Sequence, residues 1–150
     1  MNKRIFAASS IKAFSLSLFF LLIPACSQQP TYPEAPREGG NIVIDVSKLP
    51  SEVPEFFAHR YQGKNINFFV VKTNNTFLSF FDACIRCYTK RKGYRFEGEY
   101  VICRACNTKY PVSEIGKGFG NCYPIRLSGY IRDGKYYIPV ALLEQQVDKF

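Results

Sequence analysis

The chain has 150 residues and carries 20 basic and 12 acidic side chains, which give a formal net charge of +8. This length suits one small domain rather than several. The first 25 residues contain three of the basic side chains and no acidic one, so the rest of the chain has a net charge of +5. The basic character of the whole sequence is therefore partly a property of its N-terminus.

The N-terminal residues have the pattern of an export signal. Lys3, Arg4 and Lys12 accompany an apolar run over residues 14–23, which is too short to span a bilayer comfortably and is typical of a cleaved signal. The run ends in the sequence LIPAC at residues 22–26. This sequence resembles a bacterial lipobox, and the resemblance implies that Cys26 is lipidated and begins the mature protein. The alternative is an ordinary signal peptide whose cysteine is incidental.

We therefore predict a signal peptide over residues 1–25 and a lipid anchor at Cys26, giving an exported, membrane-anchored lipoprotein that faces the periplasm or the cell exterior. Residues 27–41 contain three prolines and two glycines, and Tyr32 is their only large apolar side chain. Such a segment buries too little surface to order itself. Residues 26–41 are accordingly predicted to be the anchor and a flexible tether.

From residue 42 onward, Phe, Tyr, Val and Ile dominate and helical periodicity is nearly absent, which predicts β-strands. Three turn sequences, Thr73-Asn74-Asn75, Glu97-Gly98 and Asp133-Gly134, favour hairpins because Asn and Gly tolerate positive φ. The expected extended segments are residues 42–46, 56–61, 66–72, 76–81, 94–96, 99–102, 110–115, 125–131 and 135–140.

The predicted fold is mainly β: a small sandwich or barrel-like domain over residues 42–150, with two cysteine loops at hairpin ends. Gly116, Gly118 and Gly120 indicate a flexible loop, and residues 140–147 indicate a short C-terminal helix. The two loops are the strongest chemical signal in the chain, because they contain the two Cys-x-x-Cys pairs. Fifteen residues separate the pairs, Cys84/Cys87 and Cys103/Cys106, and another fifteen precede Cys122.

A gap of two residues lets both sulfurs of a pair point the same way, and a hairpin between the pairs brings the two loops together. Four thiolates at tetrahedral geometry hold zinc, a single iron ion or an iron–sulfur cluster. Cys84, Cys87, Cys103 and Cys106 are therefore the predicted metal ligands. Cys122 has three interpretations: it completes or exchanges at this site, binds a second ion, or is a small buried side chain.

Two other uses of these cysteines stay open. Cysteines of exported domains commonly form disulfides, but five cysteines without Cys26 leave one unpaired. A bridge within a Cys-x-x-Cys pair is typical of thiol–disulfide redox proteins. Covalent haem is not indicated, because neither pair is followed by histidine, and His59, the only histidine, is not expected to be a ligand.

The surroundings of the pairs add two expectations. Asn107, directly after Cys106, suits the positive φ that a knuckle turn needs, whereas Tyr88 after Cys87 does not, so the two loops should differ. Positive charge beside the loops would offset a negatively charged thiolate centre and attract an acidic partner. Nucleic-acid binding is not expected, because the chain is predicted to be exported. The cations are Arg86, Lys90, Arg91, Lys92, Arg95, Arg104 and Lys109.

Several short motifs at fixed intervals carry a family resemblance. They are Phe81-Asp82-Ala83-Cys84 with Cys87, Lys92-Gly93-Tyr94-Arg95, Glu97-Gly98, Val101-Ile102-Cys103 with Cys106, and Asn121-Cys122-Tyr123-Pro124. Together they resemble the FtrD-like iron–sulfur-containing membrane protein domain. This resemblance covers roughly residues 66–140. It implies a cysteine-bound iron centre, an extracytoplasmic location and a link to iron uptake.

The arrangement of two cysteine loops also resembles Rieske and rubredoxin-type domains, although cysteines stand where Rieske domains have histidines. The favoured function is thus an iron or iron–sulfur protein that transfers electrons to or from membrane redox or iron-transport proteins. The alternatives are a binding module held together by structural zinc and a thiol–disulfide oxidoreductase. No nucleophile–base pair stands out, so we expect an electron carrier or metal-binding protein rather than a stand-alone enzyme.

Overall fold

A computed structural model describes residues 29–117, 120 and 122–150, so the predicted signal peptide, the predicted lipidation site Cys26, Gly118 and Asn121 lie outside the described residues. Within the described residues the chain forms eleven strands and one α-helix. The strands are β1 (Arg37–Glu38), β2 (Asn41–Asp45), β3 (Glu55–Tyr61), β4 (Lys64–Thr73), β5 (Thr76–Cys84), β6 (Tyr94–Glu97), β7 (Tyr100–Cys103), β8 (Lys109–Pro111), β9 (Pro124–Leu127), β10 (Tyr130–Arg132) and β11 (Lys135–Pro139). The helix, α1, covers Val140–Glu144.

The strands form three antiparallel sheets arranged in layers. The central sheet has the order β3-β4-β5-β9, the first outer sheet β1-β2-β11-β10 and the second outer sheet β6-β7-β8. Strand β4 is apolar on both faces, since Phe68 and Val70 belong to one buried cluster and Phe69 and Val71 to another. The first cluster joins the central sheet to the β2–β11 side and α1, and the second joins it to β6, β7 and β8. The prediction of a mainly β domain with cysteine loops at strand ends is confirmed.

The predicted hairpin turns are present. Asn74 and Asn75 have φ values of 48° and 58° between β4 and β5, and Asp133 and Gly134 have 49° and 72° between β10 and β11. Gly98, with φ of 58°, turns the chain between β6 and β7. Positive φ at consecutive residues matches the twist of paired strands, so these local sequences determine the strand register.

Two predicted strands were wrong in extent. Residues 125–131 form β9 and β10, in different sheets, with a break at Ser128 and Gly129. A Cβ atom on Gly129 would overlap the Tyr136 ring, so glycine lets the chain change sheets at this point. Residues 110–115 contain only the end of β8, followed by a 3₁₀ turn at Val112–Glu114 that buries Val112.

The described part of the predicted tether packs on the domain, so that prediction is corrected for residues 29–41. The Ala35 N–H donates to the Ala58 carbonyl, and the Ala58 N–H donates to the Pro33 carbonyl. Ala35 is buried, and the Tyr32 ring stacks on Phe56 with centroids 4.7 Å apart. Contacts with the domain therefore bury the surface that this segment could not bury by itself.

Candidate metal centre

The five described cysteines come from three places that the sheet packing brings together. Cys84 ends β5 and Cys103 ends β7, so each Cys-x-x-Cys pair begins where a strand stops. Cys87 and Cys106 lie in the turns that follow. Cys122 stands just before β9, the strand that pairs with β5. A backbone hydrogen bond from Ile85 N–H to the Tyr123 carbonyl joins the first loop to the Cys122 segment.

Four sulfurs form one compact group. Those of Cys84, Cys87, Cys103 and Cys122 all lie within 4.8 Å of one another, and the Cys84 and Cys122 sulfurs are 3.3 Å apart. Bonds of about 2.3 Å to one tetrahedral ion would place thiolates about 3.8 Å apart, close to this spacing. Thiolates on different irons of a cluster lie further apart, so holding a cluster would require the loops to open. The donor chemistry suits either group.

Cys106 does not belong to this compact four. Its sulfur lies 3.0 Å from the Cys122 sulfur and 3.3 Å from the Thr108 hydroxyl, and the residue is exposed. The sequence favoured Cys106 over Cys122 as the fourth ligand, whereas the geometry groups Cys122 with the other three. All five are free cysteines, and these separations exceed the disulfide bond length of about 2.05 Å.

Backbone N–H groups of both loops are directed at sulfur. The N–H groups of Arg86 and Cys87 hydrogen-bond to the Cys84 sulfur, and those of Ala105 and Cys106 hydrogen-bond to the Cys103 sulfur. Burial raises the pKa of Cys84, but the polar side chain of Tyr94 and these N–H groups outweigh it, so its pKa lies below the usual value. Such donors stabilise the thiolate, which is the form that binds metal.

The thiols also hinder one another's ionisation. Burial and the neighbouring Cys84 thiolate raise the pKa of Cys87 to about 12. Burial and hydrogen bonding to Cys106 and Cys84 raise the pKa of Cys122 strongly. Because like charges in one site repel, four thiolates together need a cation to compensate them. This compact group is therefore electrostatically suited to a metal.

The two loops differ as their sequences predict. Asn107 has φ of 57°, and its N–H donates to the Cys103 carbonyl at 2.8 Å. The first loop instead continues into a 3₁₀ turn at Tyr88–Lys90, and Arg91 takes the positive φ of 48°. A tyrosine at the position equivalent to Asn107 thus shifts the left-handed residue three positions along the chain.

Asp82 is a site residue that the sequence analysis missed. It is fully buried two residues before Cys84, and its Oδ1 accepts the Tyr94 N–H at 2.6 Å. Its Oδ2 accepts from the Gln29 amide at 3.0 Å and from the Tyr32 hydroxyl at 3.3 Å. Burial raises the pKa of Asp82 to about 7, against the lowering effect of these donors and of the Arg104 charge.

This contact explains the Asp-Ala-Cys and Lys-Gly-Tyr motifs. Gly93 has φ of 63°, and a Cβ atom there would overlap the Asp82 carboxylate. Arg104, next to Cys103, donates from its Nε to the Tyr94 carbonyl and from its N–H to the Gly93 carbonyl. Asp82 and Arg104 thus attach one short segment to both cysteine loops. The sequence feature that could have identified Asp82 as a site residue is its charge within the otherwise apolar end of β5.

Aromatic and charged side chains surround the sulfurs. Tyr94 and Tyr110 are fully buried in the same cluster as the cysteines and exclude water from one side. Tyr100 and Tyr123 are instead partly exposed. The chain has no acidic residue over residues 83–96 or 101–113. His59 lies apart from this cluster and contacts Glu144, with 3.2 Å between Nε2 and Oε1.

A compact group of mostly buried thiols lies where β5 and β7 end in a cysteine-rich β-domain, and this arrangement is compatible with metal binding. The sequence profile described as membrane iron-sulfur containing protein FtrD-like matches residues 51–150. The chain belongs to this family. No curated protein and no solved structure matches the chain. Among the residues that the structure describes, no helix has the length and apolarity needed to cross a membrane.

Proposed function

We propose that this chain is an extracytoplasmic, membrane-anchored iron protein that carries electrons for an iron-transport or another membrane redox system. The observation that carries the proposal is the compact group of Cys84, Cys87, Cys103 and Cys122. Family membership supports iron–sulfur chemistry and association with a membrane. The export-signal pattern and Cys26 support lipidation and a location outside the cytoplasm.

The bound iron centre would supply the one-electron chemistry, and the chain's own residues would tune it. Backbone N–H groups at Cys84 and Cys103 stabilise negative charge on sulfur, which favours the reduced state. Burial by Tyr94 and Tyr110 keeps water from one side of the thiols. On the other side, an open cavity lets a redox partner approach Cys87, Cys106 and Cys122.

The charge of the exposed side suits an acidic partner. Arg86 and Lys90 line the cavity beside the thiols, and within the described part of the chain neither forms an ion pair. Unpaired cations around a redox centre raise the association rate with a negatively charged surface. A membrane redox or iron-transport protein with acidic residues around its electron-transfer site would be complementary in charge to this surface.

The test is to isolate the full-length chain from its own membrane without oxygen and to measure metal content, visible absorption and electron paramagnetic resonance. Iron at stoichiometric amounts with thiolate charge-transfer bands is the expected result. Cys103→Ser should lose most of the iron, because a deeply buried ligand disappears. Iron at full occupancy in that variant would contradict the ligand assignment.

Structural zinc is the second candidate, because the sulfur spacing is close to that around a single tetrahedral ion. Zinc would hold the two loops together without redox chemistry, leaving the cationic face for partner binding. Colourless protein with one zinc per chain would establish this alternative. Metal-free protein with rapidly reducible Cys-x-x-Cys bridges would instead support a thiol–disulfide oxidoreductase.

A further inference from the structure

Cys106 differs from the other four described cysteines in where its thiol lies. The residue is exposed, whereas Cys84, Cys103 and Cys122 are buried and Cys87 is partly buried. Its sulfur is nevertheless 3.0 Å from the Cys122 sulfur, a member of the compact four. The site therefore has one accessible thiol in direct contact with an inner one.

An open cavity of about 550 Å³ leads from solvent to this pair. Its lining includes the thiols of Cys87, Cys106 and Cys122, together with the cations Arg86 and Lys90. Positive charge at the mouth repels a bare divalent cation and attracts an anionic complex. The cavity thus suits a metal that arrives bound to carboxylate ligands, because such a chelate is anionic.

A single tetrahedral ion uses four thiolates, so a five-thiol cluster has one more than it needs. We propose that Cys106 is an exchangeable thiolate, which takes metal from an anionic carboxylate chelate in the cavity and passes it to the compact four through Cys122. This inference rests on the proposed function only in requiring that the four thiols bind a metal.

Capture and exchange conserve charge and involve no electron transfer. In the capture step, a carboxylate oxygen of the chelate leaves the metal as the Cys106 thiolate binds it. The other carboxylate oxygens leave as the remaining thiols bind, and the protons of those thiols pass to the released chelate or to solvent. The bond from the metal to the Cys106 sulfur breaks as the bond from the metal to the Cys122 sulfur forms. The proton leaving the Cys122 thiol moves to the Cys106 sulfur, 3.0 Å away. The metal keeps its oxidation state, and the reverse sequence releases it to a chelator.

The test compares Cys106→Ser with Cys122→Ser in the reduced, metal-free, full-length chain. Cobalt(II) citrate is added without oxygen as a spectroscopic probe, and EDTA later removes the cobalt. Ser113→Ala is the matched control, because it keeps all five thiols and changes an exposed side chain outside both cysteine loops. Absorption measures the cobalt–thiolate bands, and iodoacetamide followed by mass spectrometry identifies accessible thiols.

We expect Cys106→Ser to bind one cobalt with the wild-type spectrum but to load and release it about tenfold more slowly, the effect of about 1.4 kcal/mol in activation free energy. Cys122→Ser should lose the wild-type tetrahedral spectrum. In the loaded wild type, only Cys106 should be alkylated rapidly. The Ser113→Ala control should load and release cobalt at close to the wild-type rates.

Two results would overturn the exchange role alone: loss of cobalt in Cys106→Ser as complete as in Cys122→Ser, or wild-type loading and release rates in Cys106→Ser. Protection of Cys106 from alkylation in the loaded wild type would do the same. Failure of the wild type to bind cobalt through its thiols would instead reject the proposed function, and the exchange role with it.

Discussion

Replacing Gly93 by alanine tests whether the contact with Asp82 holds the cysteine loops in place. Gly93 has φ of 63°, and an added Cβ would lie within 2.5 Å of the Asp82 carboxylate atoms. No side-chain rotation of alanine relieves this overlap. Either Asp82 or the backbone of residues 92–94 must move.

Two costs add in this variant. An alanine in the left-handed conformation costs about 1–2 kcal/mol relative to glycine. Displacing Asp82 breaks its hydrogen bond with the Tyr94 N–H, and leaving a buried polar group unsatisfied costs about 1–3 kcal/mol. The expected loss in the free energy of unfolding is therefore about 2–5 kcal/mol.

The measurement is urea unfolding of the reduced, metal-free, full-length chain in detergent, since bound metal would add its own stabilisation. Gly98→Ala is the matched control: Gly98 has φ of 58° and nothing within 4 Å of its added Cβ. Gly98→Ala should lower the free energy of unfolding by only about 1–2 kcal/mol, the cost of placing alanine in the left-handed conformation.

A double-mutant cycle isolates the contact. In an Asp82→Ala background the overlap is absent, so Gly93→Ala should cost no more than Gly98→Ala. Equal costs for Gly93→Ala and Gly98→Ala in the wild-type background would refute the reasoning. So would a cost of Gly93→Ala that is unchanged by Asp82→Ala.

Two further predictions concern side chains that carry no sulfur. Tyr32→Ala should lower the free energy of unfolding by about 2 kcal/mol, because it removes a half-buried ring from Phe56; a negligible change in urea unfolding would support a free tether. Ser79→Ala should cost about 1–3 kcal/mol, because the buried hydroxyl donates to the Leu127 carbonyl at 2.6 Å and contacts the Tyr136 hydroxyl. The exposed Ser113→Ala is its control, and equal midpoints for the two serine variants would contradict the prediction.

The features that were predictable from the sequence depend on a few adjacent residues. Asn74-Asn75 and Asp133-Gly134 determine their turns because these residue types accept positive φ. Asn107 does the same within the second cysteine loop. The apolar run of β4 similarly indicates a strand buried on both faces, whatever its neighbours are.

Local sequence could not show whether Cys106 or Cys122 is the fourth member of the compact group. The two residues are fifteen positions apart, and nothing local distinguishes a ligand in a turn from one before a strand. Cys122 reaches the compact four because β9 pairs with β5, and the register shift between Phe80 and Cys84 aligns Cys84 with Pro124. Long-range pairing of this kind has no signature in cysteine spacing.

The N-terminal segment was mispredicted for a related reason. Its prolines and glycines exclude a helix and a self-sufficient core, but they do not exclude packing on a surface made elsewhere. Pro33 needs no N–H to accept a hydrogen bond from Ala58, and Tyr32 finds Phe56 already in place. The composition of a segment indicates only how much surface it can bury by itself. The surface that residues 29–41 bury depends on their contacts with β3.

Asp82 determines the distance between the two cysteine loops although it binds no metal in the proposed site. It stands two residues before Cys84, and its carboxylate binds the N–H of Tyr94, the residue paired with Cys103 across β6 and β7. One hydrogen bond therefore links the strand ends that carry both leading cysteines. Because no metal ligand takes part in this link, we expect part of the entropy cost of assembling four thiols to be met during folding. The aspartate and Gly93 therefore hold together the segments that bring the two cysteine loops to one place.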